Sequence, residues 1–171
     1  MTEHTALLTL ILGGARSGKS RHAESIVTAL PAPWIYVATA QALDDDMRRR
    51  IAVHRARRGT GWITVEAPIE LAGALATDST CPILVDCLTL WVSNLLLGRH
   101  DIATATSELD KALDERHAAT VLVANEVGLG IVPDNALARE FRDHAGLLHQ
   151  HLAARADSVL FMVAGLTMRV K

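Results

Sequence analysis

Cysteine is almost absent from this chain: of 171 residues only Cys81 and Cys87 carry a thiol. Two cysteines do not make a disulfide framework, and no CxxC or Cys/His spacing points to zinc. Both read as buried or half-buried thiols of a reducing compartment. Aromatics are also scarce, with three Trp, two Phe and one Tyr. That leaves few platforms on which nucleobases could stack. There is no excess of positive charge either. The formal net charge is −2, so no overall basic field recruits nucleic acid, although a local basic patch remains open. Long hydrophobic runs are missing. The opening "MTEHTALLTLILGG" has no basic region and no small-residue cleavage site, and its apolar run is too short to span a bilayer. A cytoplasmic protein without a membrane span is expected. No repeat, low-complexity tract or Gly/Pro/Ser-rich linker divides the chain, so residues 1–171 are read as one domain.

Half of the residues are hydrophobic, enough for a sizeable core at this length. Short apolar runs alternate with helical patterns. Leu7 to Leu12, Trp34 to Thr39, Pro82 to Asp86 and Thr120 to Asn125 suit strands buried on both faces. Trp62 to Glu66 alternates and suits a strand near an edge. Helices are expected over Lys19–Leu30, Asp44–Arg58, Ile69–Ala76, Leu88–Leu97, Ile102–His117 and Asn135–Ala156. "SVLFMVAG" and "LTMRVK" close the chain as one or two strands. The class is therefore α/β with a mainly parallel sheet flanked by helices.

Between the first strand and the first helix stands Gly13-Gly14-Ala15-Arg16-Ser17-Gly18-Lys19-Ser20, which fits G-x-x-x-x-G-K-[ST]. Each part has a mechanical reason. Glycines let backbone N–H groups close on phosphate oxygens, and Lys19 reaches the terminal phosphates. The Ser20 hydroxyl can ligate Mg²⁺, and the helix directs its positive end at the anion. A chance Gly-rich turn would match the letters but not the strand-before, helix-after context. A nucleoside triphosphate is the expected ligand. The second metal-side carboxylate belongs at the end of another buried strand, where Asp86 stands. The alternative makes Asp86 an ordinary N-cap for the helix from Leu88.

The helix from Asp44 contains "MRRRIAVHRARRG", with six arginines from Arg48 to Arg58. Arg50, His54 and Arg58 fall on one face. Such a face is costly without an anion, and arginine forks fit phosphate oxygens. The same cations disfavour imidazolium at His54, leaving a neutral ring able to attack phosphorus. A solvated basic face with a bystander histidine is the other reading.

"GGARSGKSRHAE", the "YVAT" strand, the H-x-x-x-R of His54 to Arg58 and "NEVGLGIVPDNALAREFRDHAGLLHQHLA" over 125–153 together resemble the bifunctional adenosylcobinamide kinase / adenosylcobinamide-phosphate guanylyltransferase family. The resemblance covers about Leu10 to Val170. It implies a P-loop fold related to the RecA-like group and a homotrimer. It also implies two activities. ATP or GTP phosphorylates the aminopropanol hydroxyl of adenosylcobinamide. A histidine then takes GMP from GTP, releases pyrophosphate and passes GMP to adenosylcobinamide phosphate. By motif position that histidine is His54. The resemblance further places nucleotide contacts at Gly13 to Ser20, at Thr39, Ala40 and Gln41, at Arg55, Ala56, Arg57 and Arg58, and at Glu66 and Asp86. Asp86 is an aspartate where some relatives have glutamate, so its reach is one methylene shorter.

Two reactions in one phosphate loop demand a shift of the nucleotide or of the His54 helix. The glycines at the Arg57–Gly61 end offer a hinge, or alternatively a helix C-cap at Gly59. Glu126, after a strand, can orient the acceptor or a magnesium-bound water, or merely fix loop N–H groups. His149 and His151 lie two apart on a helix and face different ways, which argues against a metal pair. A small-molecule kinase using the loop alone is the rival function.

Overall fold

The computed structural model describes residues 8–42 and 44–171, without the side chains of positions 46 and 50. Seven strands form one sheet: β1 (Leu8–Gly13), β2 (Trp34–Ala38), β3 (Trp62–Glu66), β4 (Ile83–Asp86), β5 (Thr120–Asn125), β6 (Ser158–Val163) and β7 (Leu166–Arg169). Their order is β3-β2-β4-β5-β1-β6-β7. The first six run parallel, and β7 returns antiparallel to β6. The continuous apolar runs occupy the middle of the sheet and the alternating "WITVE" its edge, because only a central strand is covered on both faces.

Six helices supply that cover: α1 (Lys19–Thr28), α2 (Asp45–Arg57), α3 (Leu71–Ala76), α4 (Leu88–Leu97), α5 (Ile102–Asp114) and α6 (Ala136–Arg155). On one face Leu71, Leu75, Trp91, Leu95, Leu109 and Leu152 pack over Leu10, Val37, Val85 and Leu122. On the other, Ala23 and Val27 of α1 pack over Ile11, Tyr36, Leu84 and Val123. Full burial of each large apolar side chain contributes about 1.5–3 kcal/mol. Helix α2 is different: none of its described residues is buried.

Helix ends depart from the sequence pattern where side chains claim the backbone. Helix α5 stops at Asp114 instead of His117, because Arg116 turns inward. Its guanidinium donates to the carbonyls of Leu75, Asp78 and Cys81, and its Nε to the Thr120 hydroxyl. Helix α1 stops at Thr28, and the Leu30 carbonyl accepts from the Trp34 indole at 2.8 Å. Gly59 has no left-handed conformation. Arg58 caps α2 in an extended conformation, and it is Gly61 that carries φ 100, with the Trp34 ring standing where a Cβ would lie. Cys81 and Cys87 are free thiols, the second buried. No helix among the described residues is long and apolar enough to cross a membrane.

The register aligns the strand ends. Gly13 lies opposite Asn125 and Met162, and Asp86 lies opposite Ala38 and Val123. The carboxyl ends of β1, β2, β4, β5 and β6 thus form one edge, the edge at which open α/β sheets take their ligands.

Candidate active site

The phosphate loop opens where β1 ends. A Cβ at Gly13 would stand 2.5 Å from the Met162 carbonyl oxygen, so a side chain there is barred by β6. Gly18 adopts φ 98 as it enters α1, a conformation glycine reaches at no steric cost. Neighbours hold the loop at both ends. Glu126 N–H donates to the Gly13 carbonyl at 2.9 Å, and Gly165 N–H to the Ser17 carbonyl at 3.0 Å. Lys19 is only 6% exposed. Its Nζ bends back over the loop to the Gly14 carbonyl at 2.5 Å and to Ser17 Oγ at 3.4 Å. Burial lowers the Lys19 pKa, while Cys87 and Asp86 act in the opposite direction.

Asp86 closes β4 beside this loop. Its Oδ2 accepts from the Tyr36 hydroxyl at 3.0 Å and lies 3.8 Å from His54 Nδ1. It is not the N-cap of α4. That position falls to Cys87, which makes no capping side-chain bond. Helix α2 therefore carries His54 to the strand edge that holds Lys19 and Asp86. The pairing leaves Nε2 as the ring nitrogen facing away from the carboxylate.

Ser20, in the first turn of α1, and Asp86, at the end of β4, carry oxygen donors of the kind Mg²⁺ takes. Among the described residues no group of three or more His, Cys, Asp or Glu could enclose a metal. Two oxygen donors with the remaining positions left to phosphate and water is the arrangement Mg²⁺ favours, so the residues fit the ion.

The arginines are less uncompensated than their sequence implies. Arg57 forks onto Glu24 of α1 at 2.7 and 3.0 Å, and Arg55 pairs with Glu66 at 2.5 Å. Internal carboxylates thus take up part of the charge expected to await polyphosphate. Arg58 stacks its guanidinium 3.6 Å over the Tyr36 ring, and its buried Nη1 has no hydrogen-bond partner. The side chain of Arg50, placed on the same face by its spacing, lies outside the described residues.

Thr39 anchors the segment after β2. It is fully buried, and its hydroxyl donates to the Cys87 carbonyl at 2.7 Å while accepting from Cys87 N–H at 2.8 Å. That side chain braces β2 against β4, leaving Ala40 and Gln41 nearer the surface. Glu126 spends one carboxylate oxygen on Gly128 N–H, which matches the loop-fixing alternative. His149 is buried, with its Nε2 unpartnered and its pKa lowered by burial against an opposing contribution from Glu126. His151 faces outward to Asp110 at 2.8 Å, so the two do point apart.

Sequence reasoning missed Tyr36 and Glu24 as parts of the site. Tyr36 had one available signal: the chain's one tyrosine stands in the middle of a buried strand that ends at the ligand edge.

The strand–loop–helix unit, the parallel sheet and the lysine over the loop define a P-loop nucleotide-binding protein. Solved structures share this fold. An ATPase of the type III secretion system of pathogenic bacteria aligns with a TM-score of 0.57 at 13% identity, covering 95% of this chain and 56% of that one. A second solved ATPase domain aligns with a TM-score of 0.52 at 10% identity, covering 92% and 69%. Closer relationships lie in sequence. The chain is 48% identical over 166 residues to the bifunctional adenosylcobalamin biosynthesis protein CobP of Pseudomonas aeruginosa, covering 95% of this chain and 96% of the relative. It is 42% identical over 183 residues to CobU, the protein of the same description in Salmonella typhimurium, covering 96% and 100%. Residues 9–170 match the cobinamide kinase / cobinamide phosphate guanyltransferase family, and the chain belongs to that family.

Proposed function

We propose that this one nucleotide-binding domain performs both family reactions, with His54 as the guanylylated residue. The observation that supports it most is the placement of His54 at the ligand edge, 3.8 Å from Asp86. In the kinase reaction, ATP or GTP lies in Gly13 to Ser20 with Lys19 against its terminal phosphates. The aminopropanol hydroxyl of adenosylcobinamide attacks the γ-phosphorus, and a nucleoside diphosphate leaves. In the second reaction, His54 Nε2 attacks the α-phosphorus of GTP and pyrophosphate leaves. Adenosylcobinamide phosphate then takes GMP from the histidine, giving adenosylcobinamide-GDP and restoring the free ring. Mg²⁺, held through Ser20 and Asp86, would offset phosphate charge. Arg58 brings an unpartnered buried donor, while Ala40, Gln41, Arg55, Arg57 and Glu66 line the nucleotide's approach.

One loop serves both geometries if α2 moves. The absence of buried side chains among its described residues and its fastening by the Arg57–Glu24 and Arg55–Glu66 pairs favour such a motion. The exposed Arg55–Glu66 pair is weak, about 0–1 kcal/mol, and Gly59 and Gly61 follow the helix. The test is a time course with adenosylcobinamide, GTP and Mg²⁺. The phosphate ester should appear first and adenosylcobinamide-GDP second. Accumulation of the phosphate ester alone would favour the kinase-only reading.

We further propose a cytoplasmic homotrimer. The family resemblance suggests it, and the exposed Leu129, Ile131, Val132, Leu166 and Met168 supply apolar surface for contacts between copies. Sedimentation equilibrium should give about three times the 18.4 kDa chain mass, as closed cyclic symmetry requires. A monomer at micromolar concentration would contradict it.

A further inference from the structure

We propose that Tyr36 is a positioning residue for guanylylation: pinned between the Arg58 guanidinium and the Asp86 carboxylate, it holds Asp86 Oδ2 toward His54 Nδ1 and so presents Nε2 to the α-phosphate. The proposal rests on the reading of His54 as nucleophile. Tyr36 is 4% exposed in the centre of β2. Its hydroxyl donates at 3.0 Å to the same oxygen that lies 3.8 Å from the imidazole. Arg58 covers one side of the ring at 3.6 Å, and Trp62 meets it edge-on at 6.1 Å between centroids. A phenol at neutral pH is an O–H donor, and this one has the carboxylate as its acceptor.

Asp86 needs such steering because it has a competitor. Lys19 also lies within its electrostatic reach. Without the tyrosine hydroxyl, the carboxylate is free to turn toward that ammonium. With it, the Nδ1–H tautomer of His54 is favoured and the Nε2 lone pair is left for attack. As the Nε2–P bond forms, the bond from the α-phosphorus to the bridging oxygen breaks, and pyrophosphate leaves with that electron pair. The Nδ1 proton stays between the ring and Asp86, whose negative charge offsets the positive charge the ring gains.

Tyr36→Phe keeps the ring, the Arg58 stack and the core volume while removing one O–H. Single-turnover labelling with α-labelled GTP and Mg²⁺ should slow by about tenfold or more, the scale of one hydrogen bond to a charged group. Adenosylcobinamide phosphorylation, to which Asp86 would contribute only through Mg²⁺, should fall by clearly less than labelling does. In an Asp86→Asn background, the same tyrosine change should add almost nothing. Labelling by Tyr36→Phe at the wild-type rate, equal loss of both activities, or additive effects with Asp86→Asn would each overturn the proposal. A wild type that never labels would overturn the His54 reading with it, whereas a wild type that labels alongside an unimpaired Tyr36→Phe overturns this proposal alone.

Discussion

Replacing Lys19 with alanine is expected to cut cobinamide phosphorylation and guanylyl transfer together, each by about 10²–10³-fold. Lys19 is buried beside the loop, with its ammonium against the Gly14 carbonyl and Ser17 and within electrostatic reach of Asp86. In both reactions charge builds on phosphate oxygens as a phosphorus–oxygen bond breaks. A cation fixed in a water-poor loop stabilises that charge more than it stabilises the bound nucleotide, so the loss falls mainly on kcat. The fold should persist, because burial already disfavours the charged form of Lys19 and Asp86 keeps the Tyr36 hydroxyl as a hydrogen-bond partner when the ammonium is gone. Steady-state rates for both reactions, with a melting curve, check this. Near-wild-type retention of either activity would mean that the two reactions do not share the loop.

The second large effect concerns His54→Asn. Asparagine retains a polar group of similar reach but has no lone pair able to form a phosphoramidate. Guanylyl transfer should fall by about four orders of magnitude or more, as for removal of a catalytic nucleophile. Phosphorylation of adenosylcobinamide should change by no more than a few-fold, because the γ-phosphate is handled by Lys19, Ser20 and the ion. Separate assays of the two products distinguish this from general damage to the site. Equal loss of both would place His54 in nucleotide binding instead of covalent transfer.

The phosphate loop was legible because its chemistry is local. Eight consecutive residues carry the turn, the N–H groups and the cation, and the flanking patterns name the strand and the helix. The central strands were legible for a related reason, since burial on both faces demands unbroken apolar runs. What sequence could not show was partnership across the fold. His54 and Asp86 lie on different elements, and Tyr36 reaches Asp86 only because β2 and β4 are neighbours in register. The arginine face looked uncompensated because Glu24 belongs to α1 and Glu66 to β3, and nothing in their spacing announces the pairing. Thr39 shows the converse. The resemblance implies a nucleotide contact in its segment, while its hydroxyl is bonded to the Cys87 backbone, a partnership across strands that the sequence does not show. Helix ends were blurred wherever a side chain such as Arg116 pulled the chain inward.

The central claim is that His54 becomes covalently bonded to GMP, and labelled GTP tests it most directly. Wild-type protein is incubated with Mg²⁺ and GTP carrying its label on either the α- or the γ-phosphate, then denatured and freed of nucleotide. The α-label should remain on the protein and the γ-label should not. The bond should survive alkali and break in acid, as a phosphoramidate does and a carboxylic mixed anhydride does not. His54→Asn should retain neither label. Retention of α-label by His54→Asn, or its absence from wild-type protein that binds GTP, would contradict the account.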